Sequence, residues 1–97
     1  MADSPRLRVP KPLVELIAGL HPELKRKVRA GLDVIREEPS AGKELREGLA
    51  GLRSLRVGRL RIIYRIASGR LLELVAVGPR DTIYEDTLRL IRRERRP

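Results

Sequence analysis

The stretch LRVGRLRIIYR, residues 55–65, is the most informative part of this 97-residue chain for its fold. Apolar and polar residues largely alternate on both sides of Gly58-Arg59, which is typical of two β-strands joined by a two-residue turn. A second short connection, Ser68-Gly69, leads into another alternating segment. The sequence therefore predicts a three-stranded antiparallel meander. Its strands are expected at residues 52–57, 60–67 and 70–77.

The helices are predicted from a different spacing of the apolar residues. Between residues 12 and 38 these residues recur every three or four positions, which indicates two amphipathic helices. Pro22 ends the first helix and opens the second, and His21 is assigned to the turn between them. So short a link predicts an antiparallel helical hairpin. After the sheet, a capping box that begins at Thr82 opens a last helix, which runs to about Arg93.

Two further segments complete the predicted architecture. Residues 6–9 alternate and indicate a short edge strand, whereas residues 40–51 are predicted as a loop with a helical turn at 43–47. We therefore expect one α+β domain over residues 1–97. In it, an N-terminal helical hairpin packs on a small twisted antiparallel sheet made of the meander and the edge strand, and a C-terminal helix follows.

Alternation also predicts which strand residues share a face. Tyr64 is expected on the side of the helical hairpin, and Arg56, Arg61 and Arg65 are expected on the other side. From the third strand, Val75 and Val77 are assigned to the hairpin side, and Leu72 and Leu74 to the arginine side. Glu73 is expected opposite Tyr64, as a structural partner.

Charge is distributed unevenly along the chain. Its formal net charge is +9, and residues 51–80 carry seven arginines but only one acid, Glu73. A positive patch of this kind usually binds an anion, most often nucleic acid. There is no cysteine, and no carboxylate cluster or histidine pair has metal-ligand spacing, so neither metal nor cofactor is expected. The chain shows no signal-peptide run and no membrane span, which predicts a cytoplasmic protein without a membrane partner.

The arginines of the first hairpin form the candidate binding surface. If Gly58-Arg59 is the turn, Arg56 lies directly opposite Arg61, and Arg65 points to the same face. Two like charges in that position destabilise a sheet by about 0.2–1 kcal/mol, so the arrangement favours a visiting anion such as phosphate. Arg80 follows the third strand and is expected at the same end of the sheet as Arg61.

Two residues of the last helix bear on this interpretation. Tyr84, in the first turn, is placed to hydrogen-bond a phosphate, to stack on a base or to anchor the helix on the sheet. The alternative to an anion site is a set of solvated surface arginines, partly paired with acids of the last helix such as Glu85 or Asp86.

The motifs RVGRLRIIYRI (56–66) and VGPRDTIY (77–84), placed after a helical hairpin, give the chain a family resemblance. Over roughly residues 6–92 it resembles the RelE/ParE toxins of bacterial and archaeal toxin–antitoxin systems. The second motif is more similar to the RelE branch. That branch implies a toxin that is a ribosome-dependent, metal-independent mRNA endonuclease (an mRNA interferase), whose partners are mRNA on the ribosome and a cognate antitoxin.

The resemblance also implies roles for individual residues. Arg61 would bind the scissile phosphate, Arg80 would stabilise the charge that develops on it, and Tyr84 would act as base or by stacking. Further nucleic-acid contacts are expected from Arg53, Arg56, Arg59 and Arg65. The chain departs from the family because it has no lysine after Lys43.

That departure leaves the proton acceptor open among Tyr84, Asp81 and Glu85, because arginine is a poor proton-transfer group. Two other functions also remain open. One is a ParE-like toxin that acts on DNA gyrase without nuclease activity, and the other is an inactive RNA- or ribosome-binding module. Only the nuclease requires Arg61 and Arg80 to lie around one phosphate.

Overall fold

The computed structural model describes residues 6–68 and 70–94, which form a single sheet with helices on both faces. In chain order the elements are β1 (Arg6–Arg8), α1 (Lys11–Ala18), α2 (Pro22–Glu37), β2 (Lys43–Glu44), β3 (Arg53–Val57), β4 (Leu60–Ser68), β5 (Leu71–Pro79) and α3 (Arg80–Glu94). The strand order is β1-β5-β4-β3-β2. β1 runs parallel to β5, and the other pairs are antiparallel. The α+β class and the order of the three helices and of the other four strands are as the sequence predicted, whereas β2 was not predicted as a strand and β1 was expected in an antiparallel sheet.

The β3–β4 hairpin has the predicted register. Val57 pairs with Leu60 and Arg56 with Arg61, so the connection is the two residues Gly58 and Arg59. Gly58 has a φ of 63°, which suits the first central position of a type II′ turn and is unfavourable for a residue with a Cβ. The glycine thus sets the turn, and the turn places the two arginines opposite each other.

The helical hairpin packs on one face of the sheet. His21 caps α2, because its ring nitrogen Nδ1 accepts a hydrogen bond from the Glu23 backbone N–H at 3.2 Å. Gly31 lets α2 approach closely, since a Cβ there would lie 2.5 Å from Val57 Cγ1. The core on this face unites α2 with β3, β4 and β5. Its fully buried members include Val28, Ile35, Ile62, Tyr64, Leu72 and Leu74.

A second core lies on the opposite face, beneath α3. Ile83 and Ile91 of α3 pack there on Ile63 and Ala76, and Leu52 closes one side. Thr87 is fully buried on the same helix and returns its hydroxyl to the Ile83 carbonyl at 2.6 Å. The sheet is therefore covered on both faces, and α3 covers part of the face that carries Arg56 and Arg61.

The predicted facing of β5 was wrong at three positions. Leu72 and Leu74 belong to the core beneath α2, and Val75 packs with the core beneath α3. The reason is a β-bulge: Ile63 pairs with Ala76 but Tyr64 pairs with Leu74, so Val75 is the extra residue. One inserted residue reverses the alternation on its far side.

Two element boundaries also differ from the prediction. Lys43 and Glu44 were predicted at the start of a helical turn within a loop, but they form β2 and pair with β3, which makes the sheet five-stranded. β5 continues to Pro79 and α3 starts at once at Arg80, so Thr82 lies inside the helix instead of capping it. β1 pairs with β5 at Leu71–Glu73 and does not extend as far as Pro79. Pro79 is therefore tolerated at that end of β5, because its missing backbone N–H breaks no hydrogen bond to β1.

Tyr64 explains why the segment before β2 lies against the sheet. Its buried hydroxyl donates to the Pro39 carbonyl at 2.6 Å and accepts from the Gly42 N–H at 2.8 Å. Burial raises the pKa of the Tyr64 phenol above its ordinary value of 10.0, although the Gly42 N–H and Arg53 act in the opposite direction. The neutral phenol thus forms hydrogen bonds at Pro39 and at Gly42, the two ends of a turn that no local pattern predicts.

Candidate nucleic-acid interface

An open cavity of about 350 Å³ lies where the β3–β4 turn meets the start of α3. It is within the size range of small-ligand sites in proteins. Four of its eight lining residues are arginines and one is an acid. The lining residues are Arg56, Gly58, Arg59, Leu60, Arg61, Pro79, Arg80 and Asp81.

The backbone pairings explain why these residues meet. Arg56 is the cross-strand partner of Arg61, and Arg61 is in turn the partner of Gly78. Leu60 pairs with Pro79, so the residue that follows, Arg80, emerges beside the β3–β4 turn. The structure thus brings Arg56, Arg59, Arg61 and Arg80 to one end of the sheet. We call these four residues the arginine cluster.

The arginine cluster has no internal counter-charge. None of its four members forms an ion pair with any residue in the described ranges 6–68 and 70–94. Arg56 Nε makes a long hydrogen bond, 3.4 Å, to the Gly58 carbonyl. Arg61 Nε is buried and has no hydrogen-bond partner among the described residues. A buried donor without an acceptor costs about 1–3 kcal/mol, so an anionic acceptor in the cavity would remove this cost.

The start of α3 adds to the positive potential. The first backbone N–H groups of a helix have no intrahelical partner, and the helix dipole places partial positive charge there. Arg80 and Asp81 are the first two residues of α3, and both line the cavity. Guanidinium forks and helix N–H groups are the donors that proteins use for phosphate.

The alternative in which surface arginines pair with acids of the last helix does not apply to the arginine cluster. Asp86 pairs with Arg89 on its own helix at 3.7 Å, and Glu85 forms no ion pair within the part of the chain that the structure describes. Of the acids that the structure describes, Asp81 alone lines the cavity. The arginines that are neutralised lie elsewhere.

Arg53 and Arg65 are not brought into the cavity. Arg53 donates to the Gly42 carbonyl at 2.8 Å and pairs with Glu44 at 3.3 Å, which braces β2. Arg65 pairs with Glu73 at 3.0 Å and approaches Glu94 of α3 at 3.9 Å. Glu73 lies opposite Arg65 and not opposite Tyr64 as predicted, because of the bulge. Both arginines have structural partners.

Arg65 also borders a second, larger cavity of about 410 Å³. Arg8 contributes a second cation there, but Glu73 and Glu94 line the same space. Arg8 pairs with Glu73 at 3.4 Å, so that the charges of this cavity largely cancel. It lacks the excess of positive charge that distinguishes the cavity at the arginine cluster.

Tyr84 lies beside the cavity but is not part of its lining. The side chain is half-buried against the core beneath α3, and its hydroxyl lies 3.4 Å from Ser54 Oγ. Ser54 is 3% exposed and precedes Arg56 by two residues on β3, which places both on one face of the sheet. The phenol therefore contacts the sheet two residues along β3 from the Arg56–Arg61 pair, a distance of about 7 Å.

Sequence reasoning missed one cation, Lys27 of α2. A Cβ on Gly58 would lie 3.2 Å from Lys27 Cδ and 3.4 Å from its Nζ, so this lysine reaches the tip of the β3–β4 turn. No local signal distinguishes Lys27 from its neighbours on the polar side of α2. Only the close packing of α2 on the sheet brings it there.

Two negative findings apply to residues 6–68 and 70–94. No group of three or more histidine, aspartate or glutamate side chains is arranged to hold a metal ion there. Neither is any helix in these ranges both long and apolar enough to cross a bilayer.

Similarity to solved structures extends over most of the chain. A chain of the toxin–antitoxin complex RelBE2 from Mycobacterium tuberculosis has 27% identity and a TM-score of 0.70, covering 80% of this chain and 100% of that one. An arginine-to-alanine double mutant of the E. coli toxin RelE in the free state has 12% identity and a TM-score of 0.72, covering 97% and 100%. A chain of the archaeal RelE–RelB complex from Pyrococcus horikoshii has 20% identity and a TM-score of 0.65, covering 80% and 97%.

Comparison with protein families identifies the chain at the level of sequence. No curated protein matches it significantly. The sequence model of a family described as the ParE toxin of type II toxin–antitoxin systems, parDE, matches residues 11–84. That span includes the helical hairpin, the meander and the whole arginine cluster. The chain therefore belongs to the ParE toxin family of type II toxin–antitoxin systems, within the RelE/ParE toxin superfamily.

Proposed function

We propose that this toxin is an endonuclease that cleaves mRNA on the ribosome without a metal ion. The single observation that supports this activity is the arginine cluster: four arginines without ion-pair partners among the described residues line one cavity. Both arginines assigned to the scissile phosphate, Arg61 and Arg80, are among them. A surface that only tolerated solvated arginines would not need them to converge.

The reaction that fits this cavity is an internal transesterification of RNA. The ribose 2′-oxygen attacks the adjacent phosphorus, a new O2′–P bond forms, and the P–O5′ bond breaks. The products are a 2′,3′-cyclic phosphate and a 5′-hydroxyl end. Negative charge concentrates on the phosphoryl oxygens in the transition state, where preorganised donors act most strongly.

The chain supplies those donors from two directions. Arg61 projects from β4, with its Nε lacking a partner, and Arg80 projects from the start of α3. The loss of one donor to such a transition state typically lowers the rate about 10²–10³-fold, or about 3–4 kcal/mol. Arg56 and Arg59 would hold flanking phosphates, where each contact mainly adds salt-sensitive affinity.

We also propose a cognate antitoxin as the protein partner. The similar structure from Mycobacterium tuberculosis is described as a toxin–antitoxin complex, and that from Pyrococcus horikoshii as a RelE–RelB complex. A partner that covers the arginine cluster with acidic side chains would silence the toxin by charge complementarity.

The test is induction of the chain in growing bacteria, followed by mapping of mRNA 5′ ends. We expect growth arrest with cuts in phase with codons, and we expect Arg61→Ala and Arg80→Ala each to abolish both. Arg89→Ala is the matched control, because it removes an equal charge from an exposed position of α3. Full toxicity of both cluster variants would refute the assignment of the site.

A second function has its own support. The matching family is that of ParE toxins, which keeps open the alternative of a toxin that acts on DNA gyrase without nuclease activity. In that case induction would produce DNA damage without phased mRNA cuts. Ribosome binding with neither outcome would point to an inactive RNA-binding module on the same fold.

A further inference from the structure

The proposed cleavage needs a proton acceptor, and the arginine cluster cannot provide one. The attacking 2′-hydroxyl must lose its proton, but a guanidinium has no free lone pair to accept it at physiological pH. Histidine is absent from the sheet and from α3, because the only histidine, His21, caps α2. The inference that follows rests on the proposed function and concerns the identity of this acceptor.

Position distinguishes the carboxylate and phenol candidates. Asp81 lines the cavity together with the arginine cluster. Glu85 is one turn further along α3, is exposed, and is not part of the lining. Tyr84 lies outside the lining, and its hydroxyl faces Ser54. Asp81 is therefore the only acceptor of the three that shares the cavity with Arg61 and Arg80.

The carboxylate of Asp81 is also not committed elsewhere. It forms no ion pair of 4.0 Å or less with any residue in the described ranges, although it immediately follows Arg80. By contrast, Glu73 holds two arginines and Asp86 holds Arg89. A carboxylate in the first turn of a helix is favoured by the dipole, which explains how an acid is tolerated there.

We propose that Asp81 accepts the proton of the ribose 2′-hydroxyl. In this step the O2′–H bond breaks, its proton passes to the Asp81 carboxylate, and the O2′ electron pair forms the bond to phosphorus. The P–O5′ bond breaks, and the leaving oxygen takes a proton from water at the open mouth of the cavity. Afterwards Asp81 releases its proton to solvent. No metal, redox partner or further co-reactant is required.

The role of Asp81 predicts opposite effects on cleavage and on binding. Asp81→Asn keeps the size of the side chain but removes its charge and its basicity. Cleavage of ribosome-bound mRNA in single-turnover assays should fall at least about 10²-fold, the usual contribution of a general base. Affinity for ribosome-bound mRNA with a 2′-deoxy nucleotide at the cut site should stay equal or rise, because a negative charge leaves a phosphate site.

Two variants separate this role from a structural one. Asp81→Glu restores a carboxylate and should recover part of the cleavage rate, whereas Glu85→Gln, one turn away and outside the cavity, should cleave like the unmodified chain. If Asp81→Asn cleaves within about threefold of the unmodified chain, Asp81 is not the acceptor. The same holds if it loses binding and cleavage together.

The outcome also separates this inference from the function on which it rests. If the unmodified chain makes no ribosome-dependent cuts, the proposed function fails and the role of Asp81 fails with it. If the unmodified chain cuts mRNA and Asp81→Asn cuts it equally well, only the assignment of the acceptor is overturned.

Discussion

Replacement of Tyr64 by phenylalanine tests the physical account of this fold most directly. The change keeps the buried ring but removes the hydroxyl, which bridges the Pro39 carbonyl at 2.6 Å and the Gly42 N–H at 2.8 Å. Tyr64 is 0% exposed and Gly42 is buried, whereas Pro39 is half-buried. Water can therefore reach the abandoned carbonyl more easily than the abandoned N–H.

The expected loss follows from these two groups. The buried Gly42 N–H should cost about 1–3 kcal/mol when it loses its acceptor, and the Pro39 carbonyl should cost less, about 0.5–1 kcal/mol. Tyr64→Phe should thus lower the free energy of unfolding by about 1.5–4 kcal/mol. A small domain has a total of about 5–15 kcal/mol, so the loss is large.

Urea unfolding followed by circular dichroism measures this loss. At m-values of about 1–3 kcal/mol/M, usual for small domains in urea, the midpoint should fall by at least about 0.5 M. The matched control is Tyr84→Phe, because that hydroxyl has only a 3.4 Å contact with Ser54 Oγ and the side chain is half-buried. We expect less than about 1 kcal/mol there. Equal losses for the two variants, or a Tyr64→Phe variant within about 0.5 kcal/mol of the unmodified chain, would refute the reasoning.

Two further predictions concern stability. Because the pKa of Tyr64 is raised in the folded protein, the unfolded chain loses the phenol proton first as the pH rises. The contribution of this phenol to stability is therefore complete below pH 10.0 and is lost as the pH rises through the folded-state pKa. The free energy of unfolding of Tyr64→Phe should decline less steeply at alkaline pH, and an identical slope would contradict a raised pKa. Gly31→Ala would place its Cβ 2.5 Å from Val57 Cγ1 and 3.0 Å from Ile62 Cδ1, so the strain of overpacking, about 1–3 kcal/mol, should outweigh the gain in helix propensity and lower the urea midpoint. Gly19→Ala, whose nearest contacts would be an ordinary 3.6 Å, is the control and should not lower it.

Local patterns predicted most of the fold. The β3–β4 hairpin and the Arg56–Arg61 pair could be predicted from the alternation of apolar and polar residues and from the two-residue turn at Gly58. The helical hairpin followed from apolar spacing and from Pro22. These features depend on residues that are close in sequence, where backbone sterics and side-chain alternation act directly.

The candidate site could be predicted only in part. Arg56, Arg61 and Arg80 lie at one end of the sheet as predicted, because strand register carries the local pattern across the sheet, and Arg59 of the turn joins them. Arg53 and Arg65 had the same local appearance, but Glu44, Glu73 and Glu94 neutralise them. Which arginine pairs with an acid depends on distant chain segments, since Glu94 lies 29 residues from Arg65 in the sequence.

The α+β class, the hairpin register and the concentration of positive charge on one strand pair could all be predicted from residues that are near one another in the sequence. The bulge at Val75, the pairing of β2 and the approach of Lys27 to the turn depend on tertiary packing. So does the meeting of Asp81 with the arginine cluster in one cavity, where the four arginines form no ion pair with any described residue. Burial and ion pairing depend on which distant groups share a space, and no local period encodes that.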